Sequence, residues 1–257
     1  MAMMTLHILI DLEMAGKEIE REGRTIFDAI ELSHTLRLNC EGADMTHFQR
    51  AIFIVNEIAI CVWSAIEGVE SYSKIGTVEV VSNSQTRVVS ELYCCEGDGC
   101  LVVRNVGAVP QSLLQEWAGM VLLKGIRDLI VFEGMHMSKY NQSLDSRIRV
   151  LCSSFVDESK QTVHSALGLQ PLDVGNIVDG CAAAIFCRAE LNEQSAVIYV
   201  VVRDAPYTIG AARSLEVLQE EISRFLGGRD VSFPGLDFHR QMIRKDGFLY
   251  STETMFS

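Results

Sequence analysis

The sequence predicts an α/β fold: one three-layer sandwich with a mostly parallel or mixed central sheet flanked by helices, plus an extended C-terminal tail. Three observations predict it. Short apolar, strand-like runs alternate with helical patterns of about three or four turns from residue 51 to residue 228. One of these runs, "SAVIYVVV" at 195–202, is continuously apolar, as a central strand covered on both faces would be. A chain of 257 residues that is 48% hydrophobic and 22% charged can also bury a large core.

The first fifty residues are the least defined part of the chain. "HILIDLEMAGKEIEREG" has helical character ending at Gly23, and "GADMTHFQR" reads as a loop. "AIFIV" (51–55) then reads as a short buried strand. Asn56 is placed to cap the helix "EIAICVWSAIEG", which Gly68 closes. "KIGTVEVV" and "RVVSELYCC" read as neighbouring strands joined by the turn "SNSQ", and the turn "EGDG" leads into the apolar run "CLVVRNV". Pro110 stands at a helix start, with Leu113, Leu114, Trp117, Met120 and Val121 on one face and Gly125 as the stop.

"DLIVFEG" (128–134) is the next buried strand. Residues 138–173 read as polar and irregular except for "IRVLCSS". A helix follows with Ile177, Val178, Cys181, Ala184 and Ile185 on one face. After the strand at 195–202, a last amphipathic helix carries Leu215, Leu218, Ile222 and Phe225, with Gly227 and Gly228 as its terminator. The expected organisation is therefore an N-terminal segment at 1–50, an α/β domain at 51–228 and a tail at 229–257, with one short helix around 237–245.

The formal charge of −12 argues against a general nucleic-acid binder, which needs a cationic face to displace counterions. The opening residues lack a cationic start before their short apolar stretch, so no secretory signal is expected. No apolar run approaches the ~20 residues of a membrane span. The eight cysteines are scattered, several within apolar periodic segments. They read as reduced thiols of a cytoplasmic or nuclear protein. Cys94, Cys95 and Cys100 lack CxxC spacing and a nearby histidine, so no metal site is expected there.

The chemistry of catalysis is not legible. The chain contains no GxGxxG, no GxxxxGK[ST], no GxSxG and no HExxH, and no cofactor is expected. The strand-end loops, where such folds hold ligands, offer Asn56, Glu57, Asn105, Glu133 to His136, Arg203, Asp204 and Tyr207. These residues fit capping and turn chemistry. The Glu133–His136 and Arg203–Asp204 pairs also suit a small polar substrate, which leaves an enzyme of hydrolase or transferase type as the alternative reading. "NQS" at 141 matches a glycosylation sequon, and with no secretion signal expected it reads as a chance match.

The tail differs from a frayed terminus of small polar residues. It ends Met255, Phe256, Ser257: an apolar anchor, a ring and the bearer of a carboxylate. Capture of a C-terminal carboxylate in a receiving pocket is a recurring peptide-recognition mode. A ring folded back onto the domain, or a disordered end, is the other account of the same residues.

Two segments and this ending together resemble the proteasome assembly chaperone 1 family. "AIFIVNEIAICVWSAIEG" is similar to that family's strand "xFIIAIGNNA" and its following apolar helix. "GNIVDGCAAAIFCRAELNEQSAVIYVVVRDAPYTIGAARSLEVL" is similar to its C-terminal core, with an "NIVxxLPAAVLxYC" helix before a strand. The family ends in hydrophobic–Tyr–any residue, and Met255, Phe256 and Ser257 occupy those places. Here "DGCAA" stands for Leu-Pro-Ala-Ala, and Phe256 lacks the tyrosine hydroxyl. The resemblance implies a non-enzymatic chaperone that pairs with a proteasome assembly chaperone 2-like protein as a heterodimer. It implies docking on proteasome α subunits, where the terminal residues enter a pocket between neighbours in the α ring and the carboxylate meets a lysine. From charge and hydropathy, no nucleic-acid or membrane partner is expected.

Overall fold

A computed structural model describes residues 34–40, 47–55, 62–63, 65–66, 72–82, 85–95, 99–140, 147–203, 215–229, 231 and 233. The strands are β1 (His34–Cys40), β2 (Arg50–Ile54), β3 (Tyr72–Ser82), β4 (Gln85–Cys95), β5 (Cys100–Asn105), β6 (Asp128–His136), β7 (Ile148–Cys152), β8 (Gln170–Pro171) and β9 (Ser195–Arg203). The α-helices are α1 (Leu114–Val121), α2 (Glu158–Ala166), α3 (Gly180–Leu191) and α4 (Gln219–Phe225). Val62, Trp63, Ala65 and Ile66 are also helical and buried.

The nine strands among the described residues form one mixed sheet in the order β1-β3-β4-β5-β2-β6-β9-β7-β8. Parallel pairing runs through its middle, β5 to β2, β2 to β6 and β6 to β9, and returns at β7 with β8. Antiparallel pairing joins β1, β3, β4 and β5 on one side and β9 to β7 on the other. The sheet is thus mixed, because β4, β3 and β1 extend it antiparallel beyond β5 and β7 pairs antiparallel with β9.

Alternation along the central strands divides their side chains between two cores, as the two-residue period of a strand requires. Ala51, Phe53, Leu129, Val131, Ile198 and Val200 face the core roofed by α1 and α3. Ile52, Ile54, Ile130, Phe132, Val197 and Tyr199 face the core that also holds Trp63, Ile66, Leu218 and Ile222. Two apolar cores on opposite faces of one sheet, each covered by helix, make the three layers of the predicted sandwich.

Several elements depart from the sequence pattern. Strand β1 lies within the first fifty residues, where the sequence assigned no strand, and it pairs with β3 along its whole length. A side chain at Gly76 would meet the Asn39 carbonyl oxygen at 2.6 Å, so the close approach of β1 to β3 requires glycine there. The helix expected from Ile177 begins only at Gly180. Asp179 is its N-cap in extended conformation and Gly180 itself has φ of 61°, so the chain turns into the helix at that point. Ile177 stands in the preceding loop, 79% exposed. Helix α1 ends at Val121 rather than Gly125, because Leu122 is already extended. Helix α2 falls in the stretch read as irregular.

Other expectations match. Pro110 precedes a short 3-10 turn, Gln111–Leu113, that leads into α1. Gly227 and Gly228 adopt φ of 76° and 83° and end α4 by donating to Arg224 and Ser223 carbonyls. Beyond α4, Val231 and Phe233 return to the second core, so burial continues past residue 228. The helix expected near 237–245, the cap at Asn56 and the extended tail lie outside the described residues.

Phe53 is fully buried in the first core, whereas Ile177 is exposed. Phe53→Ala is expected to lower unfolding free energy by about 3–5 kcal/mol, and Ile177→Ala to change it by no more than about 0.5 kcal/mol. Urea unfolding midpoints at constant m-value measure both.

Candidate functional site

The carboxyl ends of β5, β2 and β6 meet beneath α1 and the start of α3, the location at which α/β sheets commonly place ligands. Alternation from Leu101 and Val103 puts Asn105 on the α1/α3 face of β5. Alternation from Leu129 and Val131 puts Glu133 on the same face of β6. Both are buried, Asn105 at 9% exposure and Glu133 at 7%.

The Ser90 hydroxyl donates to Asn105 Oδ1 at 2.9 Å, and the Trp117 indole Nε1–H donates to Ser90 Oγ at 2.9 Å. This relay joins β4, β5 and α1, and it gives the buried indole N–H the acceptor it needs. Cys181, in the first turn of α3, completes the cluster. Burial pushes its thiol up to about 12; a hydrogen bond with Asn105 acts the other way, and the Glu133 carboxylate adds to the rise.

These effects decide what the cluster can do. A nucleophilic cysteine needs a depressed pKa and a cationic neighbour. Cys181 has the opposite environment, so its thiol stays protonated at neutral pH. Asn105 spends its carbonyl oxygen on Ser90. The cluster is a satisfied polar node that fixes α1 and α3 over the strand ends.

The remaining residues singled out in the sequence separate. His136 lies three positions from Glu133, and a strand turns such residues to opposite faces. Its Nδ1 accepts from the Ser138 backbone N–H at 3.1 Å and stands 2.7 Å from Ser138 Oγ. It therefore caps the 3-10 turn Met137–Lys139. Arg203 stands opposite His136 in the β6–β9 register. The side chain of Arg203, and all of Asn56, Glu57, Asp204 and Tyr207, lie outside the described residues, as do Met255, Phe256 and Ser257. Cys94 and Cys100 face opposite cores, and among the described residues no three His, Cys, Asp or Glu side chains gather as a metal site. No helix among the described residues is long and apolar enough to cross a membrane.

Sequence reasoning found Asn105 and Glu133 and missed Ser90, Trp117 and Cys181 as their partners. Trp117 was assigned to the core by its helical stripe, and nothing local reveals that its indole nitrogen meets a serine 27 residues away. The separation of Glu133 from His136 was readable in the strand period itself.

Ser90→Ala leaves the Trp117 N–H and Asn105 without a shared partner and is expected to cost about 1–3 kcal/mol, read as a lower urea midpoint. In the folded chain at pH 8, iodoacetamide is expected to label exposed Cys187 and to spare Cys181, with both labelled after unfolding. Peptide mass mapping separates the two sites.

No family model and no curated protein sequence matches the chain. Solved structures do match. The crystal structure of PbaA from Pyrococcus furiosus, an archaeal homolog of proteasome-assembly chaperone, is similar over 82% of this chain and 94% of its own, with a TM-score of 0.58 and 16% identity. PbaB from the same organism, an archaeal proteasome activator, is similar over 83% of this chain and 96% of its own, with a TM-score of 0.55 and 14% identity. A Thermoplasma acidophilum protein of unknown function covers 79% of this chain and 84% of its own, at a TM-score of 0.56 and 12% identity. The chain therefore has the fold of structures that include proteasome-assembly chaperone homologs, the family that its sequence resembles.

Proposed function

We propose that this chain is a non-enzymatic chaperone of proteasome assembly, acting on the α-subunit ring of the 20S core particle. The observation that carries this reading is the likeness over about four fifths of the chain to PbaA and PbaB, one described as a proteasome-assembly chaperone homolog and the other as a proteasome activator. In this reading the chain works as a heterodimer with a proteasome assembly chaperone 2-like protein, in the cytoplasm and nucleus. Its domains divide as an N-terminal segment, an α/β body and a C-terminal tail. Met255 is the apolar anchor, Phe256 the inserted ring and Ser257 the carboxylate bearer in a pocket between α subunits. No nucleic acid, membrane or cofactor is required.

The strand ends support the non-enzymatic reading over a hydrolase or transferase. Glu133 and His136 face opposite sides of the sheet, and Asn105 is engaged with both Ser90 and Cys181. Glu133 and His136 therefore do not converge on one space as an acid–base pair would.

Pulldown of α subunits with the partner chaperone present tests the reading. The full chain is expected to retain α subunits, and the chain lacking Met255 to Ser257 to retain fewer. Equal retention removes the tail from the mechanism, and no retention by the full chain overturns the reading. Phe256→Tyr restores a hydroxyl whose hydrogen bond is worth about 0.5–1.5 kcal/mol. It is expected to tighten ring binding roughly two- to tenfold, measured by titration of the isolated ring.

A further inference from the structure

The second core contains an ionisable group that neither the fold nor the proposed function uses. His164 lies on α2, an otherwise polar helix, and is buried at 4% exposure. Its Nε2 stands 3.0 Å from the Tyr199 hydroxyl on β9 and 3.3 Å from Glu221 Oε1 on α4. Its Nδ1 stands 3.9 Å from Cys152 Sγ on β7. The imidazole meets the Tyr199 ring edge-on, with centroids 5.7 Å apart. Arg224, one turn along α4, adds its charge to the field at Glu221. The ionisable neighbours of the pair are therefore Cys152 from β7, Tyr199 from β9 and Arg224 from α4.

Glu221 depends on this arrangement. Its Oε2 is buried with no hydrogen-bond partner, so the imidazolium at Oε1, with Arg224 adding its charge, compensates a carboxylate withdrawn from water. Helix α4 depends on it in turn. Seven residues are too few for a helix to persist alone. α4 is held by Leu215, Leu218, Ile222 and Leu226 packed on the sheet, by Arg50 donating to the Phe225 carbonyl, and by this ion pair. Immediately after it, Val231 and Phe233 enter the same core.

We propose that the His164–Glu221 pair is a pH-gated electrostatic latch that clamps α4, and with it Val231 and Phe233, to the sheet. This holds independently of the proteasome reading. Burial pulls the His164 imidazole down, but hydrogen bonds with Cys152 and Glu221 and their charges outweigh it and raise it from 6.5 to about 9. Burial likewise raises Glu221, but hydrogen bonds from His164 and Tyr199 and the nearby cations bring it below 4.5. A raised histidine contributes stability that is whole below pH 6.5 and is lost as pH climbs through about 9. A lowered glutamate contributes stability present above pH 4.5 and lost as pH falls through its folded value. The latch is therefore fully closed between about 4.5 and 6.5 and opens on the alkaline side as His164 loses its proton.

Amide hydrogen exchange of the full chain at pH 6.5, 8 and 9.5, corrected for chemical exchange, tests this. Amides of 222–226 are expected to lose protection by about tenfold or more across that range, while those of Val197–Val202 hold theirs. Glu221→Gln and His164→Gln are expected to show weak protection at 222–226 already at pH 6.5, with no alkaline step. Constant wild-type protection at 222–226 overturns the latch, as does a wild-type pH profile in Glu221→Gln. If both variants fail to fold, the wild-type His164 ring resonance decides: a titration midpoint above 8 supports the latch, and one at or below 6.5 overturns it.

Discussion

Two-sided burial of three adjoining parallel strands, β2, β6 and β9, is the constraint on which the rest of the structure depends. Their interior residues are withdrawn from water on both faces. Each face therefore needs a helical layer, and every backbone N–H and C=O between the strands needs a ladder partner. The helices after β2 and β5 and before β9 supply those layers. Polar side chains are then confined to strand ends and margins, and where Asn105 and Glu133 enter the interior they are tied into a network. Arg149 on β7 shows the same rule toward the other edge. It is 3% exposed and donates to Asp173 at 3.0 Å and to the Tyr140 hydroxyl at 2.8 Å, which links β7 to the chain around β8.

The same constraint explains how much the sequence disclosed. A strand buried on both faces must be apolar at every position, so "AIFIV", "DLIVF" and "SAVIYVVV" stood out without knowledge of their partners. Helices α1 and α4 were legible because each lays one apolar stripe on the sheet. β1 was passed over although "TLRLNC" alternates exposed polar residues with buried or half-buried apolar ones, because the run is short and its partner β3 lies far along the chain. α2 was silent for a related reason: its one buried side chain is His164, so no hydrophobic period marks it. The order of strands in the sheet rests on contacts between distant residues, which no local pattern records.

The candidate site divides along the same line. Asn105 and Glu133 could be singled out because each is a polar residue at the end of an apolar run. The meaning of that position was not local. Cys181, Ser90 and Trp117 arrive from α3, β4 and α1, and only together do they show that the polar groups are satisfied rather than poised. The latch residues carry still less signal. His164, Glu221 and Tyr199 sit on three elements, and their charges matter because the intervening space is dry.

Under the proposed function, the latch and the tail meet in one geometric argument. A terminal tripeptide buries little surface and orders a segment on binding, so on its own it binds weakly. Tethering raises its effective concentration only if the tether spans the distance between the docked body and the pocket. Measured from Phe233, the last buried residue described, to Met255, the chain spans at most about 80 Å. Where Phe233 is held thus bounds the reach of the terminal residues. Phe233 is held in the core that α4 closes, and α4 is clamped by His164 and Glu221. Opening the latch would move the start of the tether back toward β9, lengthening it and diluting the tail around its pocket. The contribution of the tail to ring binding should therefore fall with pH along the His164 titration even though Met255, Phe256 and Ser257 carry no group that titrates there.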